Sequence, residues 1–337
     1  MLVESVPNVS EGRRLDVIER LVQAITSVPG VYLLDRTSDA SHNRSVFTLA
    51  GEHEAVTDSL ERLLAAAIHD IDMGQHDGEH PRIGAVDVIP FIPLGSTSMD
   101  DCVDLAHAFG ERVAARFDLP VYFYAKAARR PDREKLADVR RGQYEGLKVE
   151  IGHRGREPDV GPTLLHPSAG AVAVGARPFL IAYNINLASD DVDLAKRIAR
   201  RVRESGGGLP RLQANGFEVR EPERGHAVRA QVSMNLLDFS VTPLWLAWDT
   251  VRGLAAEDGI ALAESELIGL APLAAFLSVA DHAGADETDP IETRLAAAAA
   301  YLHLRDFSPH QALELRLEAA KAEAAKAEAA KADRTPS

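Results

Sequence analysis

Residues 31–93 read VYLLDRTSDASHNRSVFTLAGEHEAVTDSLERLLAAAIHDIDMGQHDGEHPRIGAVDVIPFIP, and the order in which their patterns change decides the fold. Residues 31–36 and 45–51 are short runs rich in β-branched and aromatic side chains. The polar TSDASHNR between them suits a turn joining paired strands. At residues 53–71 the period changes. Val56, Leu60, Leu63, Leu64, Ala67, Ile68 and Ile71 fall on one apolar stripe, which predicts an amphipathic helix. A polar loop at 72–82 then leads into a strand at 85–94. Upstream, residues 2–9 read as a strand and 13–28 as a helix, with Leu15, Ile18, Leu21, Val22 and Ile25 at helical spacing. The order over residues 1–94 is βαββαβ, the split-βαβ pattern of ferredoxin-like units.

Working downstream, residues 99–117 predict a helix that opens on a capping box of Ser98 and Asp101. Residues 121–124 read as a strand, and the charged, weakly periodic 125–161 as short helix plus loop. The order then recurs: strand 179–186, helix 190–204, strands 212–219 and 230–238, a helix opened by Thr242 and Pro243, and strand 260–268. The expected class is α/β (α+β), with two ferredoxin-like βαββαβ sandwich subdomains, helices on one face of each sheet, and a cleft between them. The expected divisions are 1–178, 179–305 and a helical tail at 306–337. In that tail EAAKAEAAKAEAAK repeats every five residues, which advances a helix about 140° beyond a full turn. No fixed apolar stripe results. The pairs Glu318–Lys321, Glu323–Lys326 and Glu328–Lys331 suit a solvated, semi-rigid spacer.

At 337 residues the chain fits two domains on a prior of roughly 100–200 residues each. It is 46% hydrophobic and 26% charged, an ordinary globular composition. The formal charge of −14 disfavours nonspecific nucleic-acid binding, which needs basic residues to neutralise phosphates. An anionic small substrate met by a few local arginines stays open. The single Cys102 cannot form an intramolecular disulfide. The N-terminus lacks the basic start and apolar run of a secretory signal. The apolar stretch at 262–280 is interrupted by Glu264, Glu266 and Pro272. A cytoplasmic protein with no membrane or nucleic-acid partner is expected.

The densest polar region is the loop at 72–82 with the strand after it, holding His76, Asp77, Glu79, His80, Arg82 and Asp87 between Gly74 and Ile89. It reads either as a solvated loop or as a functional one held on a rigid scaffold. Pro81 restricts His80 to extended backbone and so pre-positions its imidazole, whose ordinary titration range suits proton transfer. His76 and His80 are four apart, but Gly78 and Pro81 oppose a helix there, which weakens a metal site. At the tip of the strand pair stand Asp35, Asp39, His42, Asn43 and Arg44. Turn chemistry is the favoured account of them; the functional one has Asp39 orienting an imidazole and Arg44 gripping a carboxylate. The segment 159–177, DVGPTLLHPSAGAVAVGAR, lacks the lysine of a P-loop. It reads as an interdomain connection or as a loop suited to close backbone approach to a flat ligand.

Five stretches carry a resemblance: VPNVSEGRR, LLDRTSDASHNRSVFTLAG, GEHPRIGAVDVIPFIPL, DVGPTLLHPSAGAVAVGARPFLIAYNINL and QVSMNLLDF. In this order they resemble the glutamate formimidoyltransferase (formiminotransferase) family. The resemblance implies two α/β subdomains with folate held between them. It implies transfer of the formimino group from N-formimino-L-glutamate to tetrahydrofolate, giving 5-formimidoyltetrahydrofolate and L-glutamate, in histidine degradation. Tetrahydrofolate is then a co-substrate and no metal is needed; relatives suggest a homodimer. The family's catalytic histidine matches His80. Its folate-contacting stretch matches Gly161, Pro162, Thr163, Leu164, Leu165, His166, Pro167, Ser168, Ala169 and Gly170. Arg44 and Arg82 are expected to hold substrate carboxylates, with Asp39 beside them. Asn184, Asn186 and Asn235 from the second half are expected to complete the site. Some relatives have an acidic residue where Thr37 stands here. Rival readings are a metal-dependent hydrolase built on His76, Asp77 and His80, and a folate-binding protein without turnover.

Overall fold

The computed structural model describes residues 1–221 and 226–332. The chain divides into two compact units, Met1–Pro178 and Phe179–Ser337.

The first unit runs β1 Leu2–Ser5, β2 Asn8–Val9, α1 Leu15–Thr26, β3 Val31–Asp39, β4 Arg44–Glu52, α2 His53–Asp70 and β5 Val86–Pro93. It continues with α3 Met99–Phe117, β6 Val121–Ala125, α4 Leu136–Val139, α5 Gln143–Glu150 and β7 Val172–Ala176. The first strand of the expected unit is thus two. Pro7 has no N–H to give a ladder, and the strand breaks around it, although its carbonyl still accepts Phe47 N–H at 3.2 Å. β1 pairs antiparallel with β4 and β5, and β4 with β3. That is the ferredoxin-like order, with the first strand inside. β7 and β6 then extend the sheet beyond β5, all parallel.

β7 departs from the sequence reading, which treated its residues as connection. VAVGA has no polar alternation because both faces are covered, and a buried parallel strand gives no periodic signal. α1, α2 and α3 bury Ile18, Leu21, Ile25, Leu60, Leu63, Leu64, Phe109 and Val113 against Val3, Phe47, Leu49, Ile89 and Phe91. Each such side chain contributes about 1.5–3 kcal/mol by leaving water. α3 opens on the expected capping box: Ser98 Oγ accepts Asp101 N–H, and Asp101 Oδ2 accepts Ser98 N–H.

The second unit runs β8 Ile181–Leu187, α6 Val192–Val202, β9 Leu212–Glu221, β10 His226–Leu236, α7 Leu244–Glu257, β11 Leu262–Ile268, α8 Leu273–His282, α9 Ile291–Tyr301 and α10 Leu313–Ala332. Its four-stranded sheet has the order β11-β8-β10-β9, antiparallel throughout. Ile181, Tyr183, Ile185 and Leu187 alternate inward onto a core with Leu194, Ile198, Trp248 and Phe276. Thr242 does not cap α7. Its hydroxyl donates to Pro210 O at 2.6 Å, and the helix begins at Leu244.

α10 buries Leu313, Leu317 and Ala320 in its first turns. From Lys321 to Ala327 it is exposed apart from a half-buried Ala324, as a five-residue period requires. Residues 333–337 and the side chains of the Glu328–Lys331 pair lie outside the described residues. Among the described residues no helix is long and apolar enough to cross a membrane.

Candidate active site

Three loops of the first unit meet around Asn43. Its backbone is left-handed, at φ 48°, which asparagine tolerates. Its Oδ1 accepts Gly12 N–H at 2.9 Å, and its Nδ2 donates to Asp77 O at 2.8 Å. Its own carbonyl lies 3.2 Å from His76 Nε2. A single buried amide therefore ties the turn after β2 and the β3–β4 tip to the loop bearing His80. The fit is close. A Cβ on Gly12 would stand 2.2 Å from Asp39 O, and one on Gly78 2.5 Å from His42 O.

The far side of that loop rests on the segment at 161–170. Met73 N–H donates to Ser168 O at 2.7 Å, Ala85 N–H to Ala169 O at 2.9 Å, and Ala171 N–H to Ile83 O at 3.0 Å. Gly84 and Gly170 cross so closely that a Cβ on Gly84 would sit 1.9 Å from Ala171 O. Two stretches far apart in sequence are thus one structure. Within the segment, His166 Nδ1 accepts Ala169 N–H at 3.1 Å, closing a turn. Gly161 is left-handed because its Cβ position is filled by Leu119 O. Leu164 is 75% exposed, and Pro162, Leu165 and His166 are half-buried, so one edge of the turn presents an apolar surface.

His80 is buried at 9% exposure. Burial, then the charges of Arg44, Arg140 and His42, push its pKa down to about 3. The neutral imidazole is therefore the favoured form around pH 7. Arg44 is half-buried, and its own pKa is lowered by burial and by Arg140. Among the described residues its guanidinium has no hydrogen-bond or ion-pair partner. Asp87, fully buried on β5, accepts Ile83 N–H at 2.8 Å and pairs with Arg140. Burial raises its pKa, and Arg140 opposes that rise.

Several expected site residues hold other partners. Asp39 faces His42, with Oδ1 at 2.7 Å from the His42 amide and 3.1 Å from its Nδ1. Asp39 therefore holds the backbone of His42, whose ring Nδ1 lies close by but makes no hydrogen bond among the described residues. Arg82 is buried and makes a bidentate pair with Glu145 at 2.6 and 2.8 Å. Gln143 accepts from it at 3.1 Å and His76 Nδ1 at 3.2 Å. Its fork is engaged on both sides, so it anchors the loop rather than offering a free guanidinium to a substrate. His76 has both ring nitrogens in protein contacts, Nε2 with Asn43 O and Nδ1 with Arg82 Nε, so neither is free for a metal ion. No group of three or more possible metal-ligating side chains occurs among the described residues.

Asn184, Asn186 and Asn235 lie on the sheet face of the second unit opposite its helices. Asn184 donates to Glu266 at 2.9 Å, and Asn186 accepts from Gln231 at 2.9 Å. Asn235 stands opposite Ala182 and Gln213. Arg140, Gln143 and Glu145 were missed. They come from the charged stretch after β6, where the one available signal was an excess of charge without periodicity.

The fold defines an α/β protein of two ferredoxin-like units, the first holding a buried histidine with arginines nearby. Family models agree for both units: the formiminotransferase domain, N-terminal subdomain, matches residues 2–177, and the formiminotransferase domain matches residues 182–314. The chain is 40% identical over 312 residues to a glutamate formimidoyltransferase of Streptococcus pyogenes serotype M1, covering 93% of this chain and 97% of that one. It is 43% identical over 304 residues to a glutamate formimidoyltransferase of Thermoplasma acidophilum, covering 88% and 98%. It is 44% identical over 285 residues to a formimidoyltransferase-cyclodeaminase of Rattus norvegicus, covering 83% of this chain and 52% of that protein. The chain belongs to the formiminotransferase family.

Proposed function

We propose that this protein transfers the formimino group of N-formimino-L-glutamate to tetrahydrofolate, releasing L-glutamate, as a step of histidine degradation in the cytoplasm. The observation that carries this reading is membership of the formiminotransferase family through both units. The chemistry needs one proton carrier. A folate nitrogen attacks the formimino carbon and forms a tetrahedral intermediate. That nitrogen must lose a proton, and the departing glutamate nitrogen must gain one, since an amide anion is a very poor leaving group. In this reading His80 does both. Its neutral state suits taking the proton first. The anionic donor, arriving beside Arg44, then offsets the cations that disfavour imidazolium, and His80-H⁺ protonates the leaving nitrogen.

The turn Gly161–Gly170 is the proposed folate support, since its exposed apolar edge suits a flat ring. Arg44 is the proposed carboxylate ligand, with Asp39 setting the position of the neighbouring His42. Arg82 acts through the loop it anchors. Asn184, Asn186 and Asn235 are proposed substrate contacts of the second unit. The divisions 1–178, 179–305 and 306–337 are proposed as two subdomains and a tail, and a homodimer is the proposed assembly.

The test mixes purified protein with formiminoglutamate and tetrahydrofolate and follows formimino-folate by absorbance. Product formation that needs both substrates and survives chelator is expected. Activity lost to chelator and restored by zinc would favour the hydrolase instead, and folate binding without product a non-catalytic binder.

A further inference from the structure

The charges around His80 do not close. Arg44 and Arg140 lie near enough to depress Arg44's titration, and one buried carboxylate, Asp87, faces them. Asp39 also acts on Arg44, but it is half-exposed and already accepts the His42 amide. Arg140 caps the C-terminus of α4, its N–H donating to Leu136 O at 2.9 Å. One end of its guanidinium meets Asp87. Its Nε is buried with no hydrogen-bond partner, and its side chain is 16% exposed. A buried N–H donor left unfilled costs about 1–3 kcal/mol. Here two donor groups, Arg140 Nε and the guanidinium of Arg44, are unfilled beside the same imidazole.

Resting on the formimino-transfer reading, we infer that Arg140 is a specificity-determining residue: with Arg44 it receives a carboxylate of the donor substrate. Asp87 holds Arg140 aligned by accepting at the opposite end of its fork. The rigidity of Asp87 comes from the Ile83 amide, which also fixes the start of the strand after His80. A carboxylate bound between the two guanidinia satisfies both and brings the missing negative charge next to His80. A neutral amide at the same place supplies an acceptor but not the charge, so the site selects acidic over amidated donors. No proton or covalent step is asked of Arg140.

The test uses the full chain with tetrahydrofolate and three donors: formiminoglutamate and its α- and γ-monoamides. Wild-type protein is expected to show a KM roughly 10–100-fold higher for one monoamide, as loss of a charged hydrogen bond implies. Arg140→Gln is expected to raise the KM for formiminoglutamate by that same factor and to stop discriminating that amide. The KM for tetrahydrofolate should stay within about twofold, because Arg140 faces the donor. Arg140→Lys keeps the charge on Asp87 if Arg140→Gln fails to fold. It should raise the donor KM less, again without moving the folate KM. Active wild-type protein with an unchanged donor KM in Arg140→Lys overturns this inference alone, as does a parallel rise in both KM values. Wild-type protein inactive with all three donors overturns the transfer reading beneath it.

Discussion

The two units share a strand order and differ in how they treat charge. On the sheet face of the second unit opposite its helices, polar groups answer one another. Glu264 meets Arg229 at 3.0 Å, Glu266 meets Arg305, Asn184 donates to Glu266, and Gln231 bridges Asn186 and Glu266 at 2.9 and 3.2 Å. Around His80 in the first unit the accounts stay open: among the described residues Arg44 lacks a partner, Arg140 Nε is unfilled, and a neutral histidine faces cations. A network that satisfies itself stabilises a surface. Arg203 Nε and Arg294 Nε of the second unit are unfilled as well, so it is the gathering of unfilled donors beside a histidine that sets the first unit apart.

The largest expected effect breaks the comparison at its centre. His80→Ala should lower turnover roughly 10²–10⁴-fold while folate binding, read by fluorescence titration, stays near the wild-type value. Near-normal turnover in this variant removes His80 from the mechanism. Next, Asp87→Ala leaves Arg140 buried without its counter-ion and should cost about 3–5 kcal/mol in urea unfolding. Asn184→Ala in the second unit removes one neutral-to-charged bond among several and should cost only about 1–2 kcal/mol. Equal losses at the two positions would erase the contrast between the units.

Acid sharpens the same contrast. The native pKa of His80 lies near 3, below the usual imidazole value, so between those limits the unfolded chain binds a proton that the native protein refuses. Stability from this source is complete above about pH 6.5 and is lost as pH falls towards 3. A His80→Asn variant lacks that component, so its urea midpoint should fall less than wild type's between pH 7.5 and pH 5. A parallel fall in both would place His80 in a wetter setting. The smallest effect is expected at the chain end. Removing residues 322–337 should change stability by about 0.5 kcal/mol or less, since residues 321–327 are exposed apart from Ala324.

Much of this was legible in residues 31–93. The switch from strand to helix periodicity and back is written in side chains that must face a core, so β3, β4, α2 and β5 could be placed closely. His80 stood out as a candidate, because a proline beside a histidine in a polar loop is a local feature. The partners of Arg82, by contrast, could not be read. Arg82 looked available for substrate until Glu145, sixty-three positions away, was seen to occupy its fork. β7 was hidden because a strand covered on both faces has no period to read.

From the sequence alone came the α/β class, the repeated βαββαβ order, the family and the histidine, since periodicity, turn chemistry and motif spacing are properties of neighbours along the chain. Only the tertiary structure decided which charges near that histidine are answered and which remain open. Hydrogen-bond partners and desolvation depend on what other segments bring into reach, and no local pattern encodes the distance from Arg140 to Asp87.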